Sequence, residues 1–168
     1  MAAKRRNAES KRSPLTVRER AAVHYAAQGH TPIVLFDTNI VLDVLLKREP
    51  WGVDGARLLA LAASNGITGV IASHAITTIH YIVARSRGNA AALAGVSDLL
   101  GFLTVVELSG HDFQRALSLG LGDFEDAVQV AACLRIGADY LASRNATDFK
   151  GAPVLVRSAG ELLALFGA

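Results

Sequence analysis

Ile33-Val34-Leu35-Phe36-Asp37-Thr38-Asn39 reads as four apolar residues that stop abruptly on an acid. A short apolar run bounded by polar residues suits a buried strand. In an open parallel sheet, ligands bind outside the carboxyl ends of the strands, so Asp37 stands where such a sheet would hold a functional side chain. The frame beyond it must then alternate short strands with longer helices.

It does so along the rest of the chain. Helices are expected over Thr38 to Leu46 and Asp54 to Ser64, then a strand at Ile67 to Ala72 and a helix from His74 to Ser86. A helix at Asn89 to Gly101, a strand at Leu103 to Glu107 and helices at His111 to Leu119 and Asp123 to Ile136 follow. Strands at Asp139 to Ala142 and Val154 to Val156 and a helix over Gly160 to Phe166 complete the series. This alternation predicts an α/β fold around a parallel sheet. The 168 residues suit one domain. Gly29 and Pro32 set its start near residue 32, behind an arm of residues 1–31. Met1 to Pro14 is expected to be disordered and Leu15 to Gln28 to form a short helix.

Charge divides at the same place. The arm holds seven Lys/Arg against two Glu, a net of +5; the body holds ten against thirteen Asp/Glu, a net of −3. A basic arm beside an acidic body suits a polyanionic partner near a pocket that itself attracts cations, although a plain solvated tail has the same composition. Hydrophobic residues at 51% and charged residues at 19% suit a folded chain. No apolar run is long enough to span a membrane, and the charged start lacks a following hydrophobic stretch, so a cytoplasmic protein is expected. The single cysteine, Cys133, excludes an internal disulfide framework and is expected to be a core thiol. The histidines lack zinc-ligand spacing.

Two further acids share the character of Asp37. Asp126 opens a long helix after Leu121-Gly122, and Asp148 lies in the loop after the Asp139 to Ala142 strand. Singly, each has a structural explanation: Asp37 as a helix cap, Asp123 and Asp126 as a capping pair, Asp148 as a turn residue. Together they are costly. Two carboxylates about 5 Å apart at an effective dielectric near 20 repel by roughly 3 kcal/mol. A hard dication with oxygen ligands, magnesium or manganese in its place, offsets that repulsion and supplies water for phosphodiester hydrolysis. On a helical wheel Glu125 points away from the face of Ala127, Val130 and Ala131, which predicts a surface or helix-dipole role.

Phe36-Asp37-Thr38-Asn39, Asp123-Phe124-Glu125-Asp126-Ala127, and Ser143-Arg144-Asn145 with Asp148-Phe149 resemble, in order and spacing, the motifs of the PIN-domain family, including its VapC-like toxin ribonucleases. The resemblance covers roughly Ile33 to Phe166. It implies a three-layer α/β/α fold with a central parallel sheet of about five strands. It further implies a magnesium-dependent endoribonuclease in which Asp37, Asp126 and Asp148 hold the metal, with Asp123 an additional or water-mediated ligand. Asn39 would orient Asp37, and Ser143, Arg144 and Asn145 would line the mouth, Arg144 reaching a phosphate. The implied partners are RNA, an antitoxin and a second copy of the chain. One departure stands out: many members carry a glutamate where this chain has Thr78, which leaves a catalytically weakened module that binds RNA or protein as the alternative. His80, close in sequence, is expected to be packed or exposed.

Other chemistries fit poorly. A phosphatase of the haloacid dehalogenase type needs a second Asp where Asn39 stands. No Gly-x-Gly-x-x-Gly follows the first strand, and no Gly-x-Ser-x-Gly elbow is present. Aromatic residues are only 6% of the chain, so no stacking platform for bases is expected.

Overall fold

The computed structural model describes residues 29–167. Most of the basic arm, with its expected disorder and short helix, lies outside the described residues.

Five strands, β1 (Ile33–Phe36), β2 (Thr68–Ala72), β3 (Thr104–Val106), β4 (Tyr140–Ala142) and β5 (Val156–Arg157), form one parallel sheet in the order β3-β2-β1-β4-β5. Among the described residues seven helices flank it: α1 (Thr38–Leu45), α2 (Trp51–Ala63), α3 (Ser73–Arg87), α4 (Asn89–Leu100), α5 (Gly110–Ser118), α6 (Phe124–Ile136) and α7 (Ala159–Phe166). Val34, Leu35 and Phe36 are wholly buried, as a central strand covered on both faces requires. On one face Leu35, Val70, Ala72 and Leu141 pack against Val130, Ala132 and Cys133 of α6. On the other, Gly69 lies against Ala62 of α2 and the Phe36 ring, and the Tyr140 ring meets the Phe166 ring of α7 edge-on. Three layers result, as the sequence implied.

Two boundaries differ from expectation by more than one residue. Helix α2 begins at Trp51 rather than Asp54 because Pro50 occupies its N-cap and Gly52 is buried inside the first turn. Strand β5 falls at Val156–Arg157 rather than Val154 to Val156, because only Val156 and Arg157 pair with Leu141 and Ala142 at this sheet edge. Cys133 is buried, and that burial pushes its thiol up to about 12, so it is an inert core group.

Gly69 is closely packed within the sheet. A Cβ there would lie 2.6 Å from Leu103 Cδ2 and 2.7 Å from the Ala62 Cβ. Gly69→Ala is therefore expected to destabilise the domain by about 1–2 kcal/mol, overpacking outweighing the smaller gain from a stiffer unfolded chain. A lowered denaturant midpoint at unchanged slope would register it.

The strand order reverses beside β1. From β1 the chain steps outward to β2 and β3, whereas β4 and β5 lie on the opposite side. Such a switch opens a crevice at the carboxyl ends of the two neighbouring strands. Here those ends are Phe36 and Ala142, and the Asp37 N–H donates to the Ala142 carbonyl at 3.0 Å.

Candidate active site

Asp37 sits at this switch point and is 1% exposed. It caps α1, its Oδ1 accepting from the Asn39 N–H at 3.2 Å. The cap accounts for only part of its bonding. Gln129 Nε2 donates to Oδ1 at 2.6 Å, Ser143 Oγ donates to Oδ2 at 2.6 Å, and Asn39 Nδ2 makes a longer contact with Oδ2 at 3.4 Å. Four donors from α1, α6 and the loop after β4 thus fix one buried carboxylate. All four donors are neutral, so none of them supplies a cation.

Helix α6 carries its acids toward the same place. Asp123 is its N-cap, with Oδ1 accepting from the N–H groups of Glu125 at 2.7 Å and Asp126 at 3.2 Å. Gly137, at φ 65°, ends the helix in the left-handed region that glycine tolerates best. Asp126 is half-buried. Burial first, then the charges of Asp37, Asp123, Asp148 and Glu125, raise its carboxyl from the ordinary 3.8 to about 6. Asp148 is exposed, in a turn whose N–H bonds the Asn145 carbonyl at 2.9 Å. Acids that are distant in sequence therefore act on one another through space.

The PIN-domain family model matches residues 33–147, which include β1, all of α6 and the segment after β4. The chain belongs to the PIN-domain family. Solved structures share its fold. VapBC2 from Rickettsia felis, bound to a DNA fragment from their promoter, matches with TM-score 0.61 and 19% identity, over 75% of this chain and 98% of that one. VapC20 from Mycobacterium tuberculosis, a sarcin-ricin loop cleaving toxin, matches with TM-score 0.61 and 16% identity, over 73% and 96%. FitAcB from Neisseria gonorrhoeae matches with TM-score 0.54 and 15% identity, over 76% and 98%. At such identities the likeness establishes the fold alone. The comparison with curated proteins gives no match.

Within this PIN domain, α3 brings no acid to the pocket. The Thr78 hydroxyl turns back to the His74 carbonyl of its own helix at 3.4 Å, and His80 Nε2 lies 3.1 Å from Asn89 Oδ1. His74 faces the acids instead. Its Nε2 is 4.0 Å from Glu125 Oε1, and burial lowers its pKa against the opposing pull of Glu125 and Asp37. Glu125 lies off the core face in the first turn of α6, as the helical wheel implies, and it also makes contacts that the wheel does not show. It is half-buried, accepts from Thr38 Oγ1 at 3.1 Å and adds its charge to the field at Asp126. The wheel located the sheet-facing side of α6. At the helix's first turn, however, the neighbours are the amino ends of α1 and α3, and these receive Glu125.

The loop after β4 divides its duties. Ser143 is buried on Asp37, and its Oγ also accepts from the Asn145 N–H at 3.1 Å. Arg144 turns the other way, its Nη1 donating to Oδ1 and Oδ2 of Asp43 at 2.8 and 2.9 Å. Asp43 is 0% exposed, and Arg48 approaches it at 3.5 Å. Asn145 is half-buried beside Arg144.

Gln129 was not foreseen, although it lies one turn beyond Asp126 on α6. Because a carboxylate only accepts, the Gln129 amide must present its N–H to Asp37, which leaves Oε1 buried with no hydrogen-bond partner. An orphaned carbonyl oxygen beside crowded carboxylates is a donor set suited to a hard dication. Among the described residues no three His, Cys, Asp or Glu side chains stand close enough to enclose an ion as they are. Asp123 and Asp148 are exposed beside Asp126, and together with the Gln129 oxygen these acids fit a divalent cation by chemistry and charge.

Proposed function

We propose that this PIN domain is a magnesium-dependent endoribonuclease, with manganese as a substitute, that hydrolyses phosphodiester bonds in single-stranded or loop RNA and acts as the toxin of a toxin–antitoxin pair. The observation that carries the reading is the Asp126 carboxyl, held up to about 6 by burial and by four acids, Asp37 and Asp148 among them. Asp37, Asp126 and Asp148 hold the ion in this reading, and Asp123 contributes through its uncommitted oxygen or a water. A bound dication supplies Lewis acidity and an activated water. The chain's own groups do the positioning: Gln129, Ser143 and Asn39 lock Asp37 in one rotamer, and Asn145 lines the mouth. Glu125, reaching the pocket from α6, supplies negative charge that α3 does not.

Incubating the purified chain with magnesium and a loop-containing RNA tests the reading. Internal cleavage that stops on chelation supports it, and intact RNA at every metal concentration would sink it. The acid-free α3 favours the alternative of a binding module without catalysis, which predicts RNA binding with no cleavage. The presence of an antitoxin partner and of a homodimer is part of the proposal. The exposed Phe113, Leu117 and Phe124, on neighbouring α5 and α6, are a surface on which self-association can be sought.

The crowded carboxylate has a measurable consequence. A folded-state pKa above the unfolded value makes folding favour the protonated form. The contribution of Asp126 to stability is therefore complete below about 4 and is lost as pH rises through about 6. Metal-free Asp126→Asn is expected to melt above wild type at pH 7.5 and to match it near pH 4. Magnesium should raise the wild-type melting temperature at pH 7.5, with a much smaller rise at pH 5. Thermal scans at the two pH values, with and without the ion, check both statements.

A further inference from the structure

Trp51 is the only tryptophan of the chain and is 50% exposed at the first turn of α2. An isolated exposed apolar side chain needs no explanation. This one, however, is built upon. The Arg144 guanidinium lies over its ring, with Cζ 4.9 Å from the centroid. That guanidinium is itself held by hydrogen bonds to both oxygens of the wholly buried Asp43. Gly52 lets the helix start lie tightly on α1, since a Cβ there would be 3.0 Å from the Asp43 carbonyl oxygen. The indole is thus braced from behind by a cation whose charge is already paired. Arg144 also directly follows Ser143, whose hydroxyl holds Asp37.

We infer that Trp51, braced by Arg144 and Asp43, is a stacking platform for an unpaired nucleobase of the RNA that enters the Asp37 pocket. This rests on the reading of that pocket as an RNA site. A neutralised guanidinium offers a phosphate little, but lying over the indole it restrains a ring that is half exposed and so open to a base. Stacking on such a face is sequence-tolerant and requires a base free of its helix, which selects single-stranded or loop RNA over duplex. The low aromatic content of the chain suggested that no such platform existed; a single well-placed ring is enough for one base.

The lone indole is its own reporter. With metal chelated so that RNA stays intact, a single-stranded oligonucleotide is expected to quench Trp51 emission saturably, while the matched duplex leaves it nearly unchanged. By anisotropy of labelled RNA, Trp51→Leu should bind the single strand about tenfold more weakly, with Trp51→Phe recovering much of the loss. Should Trp51→Leu fail to fold, the wild-type quenching decides alone. Emission indifferent to single-stranded RNA, or Trp51→Leu binding it as wild type does, overturns the inference; a face reserved for a protein partner would give that flat result. Quenching without cleavage on adding magnesium removes only the nuclease reading, and cleavage without quenching removes only the platform.

Discussion

Asp37→Asn is expected to reduce magnesium-dependent RNA cleavage by on the order of 10²–10³-fold while leaving the domain folded. The substitution keeps shape and one acceptor oxygen. Gln129 Nε2 retains a partner, and the new amide can donate to Ser143 Oγ once that hydroxyl turns, so the buried network is rearranged rather than orphaned. What disappears is the charge of the one acid fixed from every side. Asp37→Ala should instead cost stability as well, because it leaves the Gln129 and Ser143 donors buried without their acceptor. Single-turnover cleavage rates, paired with denaturation of each variant, separate the two effects. Asp37→Asn activity within twofold of wild type would contradict a metal-holding role for this residue.

Arg144→Met is expected to lower the unfolding free energy by about 3 kcal/mol, because it strips the main partner from a fully buried carboxylate. Arg48, 3.5 Å from Asp43 and more exposed, offsets only part of the loss. Arg144→Lys should fall between, since an ammonium can still bridge both oxygens as the single Nη1 does but carries no planar guanidinium over the Trp51 ring. Urea denaturation gives the answer directly. Unchanged stability with weakened RNA binding would show that Arg144 is the free phosphate ligand the family resemblance implied, rather than the brace seen here.

The sequence disclosed what is local and periodic. Ile33 to Asn39 announced the central strand and its terminal acid because four apolar residues and a cap need no distant partner to be recognised. The three acidic motifs could be ordered along the chain for the same reason. What stayed hidden depends on contacts across the chain. Asp43 and Arg144 are 101 positions apart, and nothing near either residue foretells their ion pair. Gln129 looked like an ordinary polar residue on a helix until Asp37, 92 positions away, was placed beside it. The contacts of Glu125 with Thr38 and His74 stayed hidden because a helical wheel describes faces along the helix, whereas these partners lie past its end. The start of α2 was set late because Gly52, a helix breaker by propensity, is there to admit the neighbouring backbone.

Manganese binding followed by electron paramagnetic resonance at pH 7.5 and pH 5 bears most directly on whether these carboxylates jointly serve a dication. One ion per chain at pH 7.5, much weakened at pH 5 and in Asp37→Asn, is the expected result. No bound manganese at either pH, or binding that Asp37→Asn leaves intact, would contradict it.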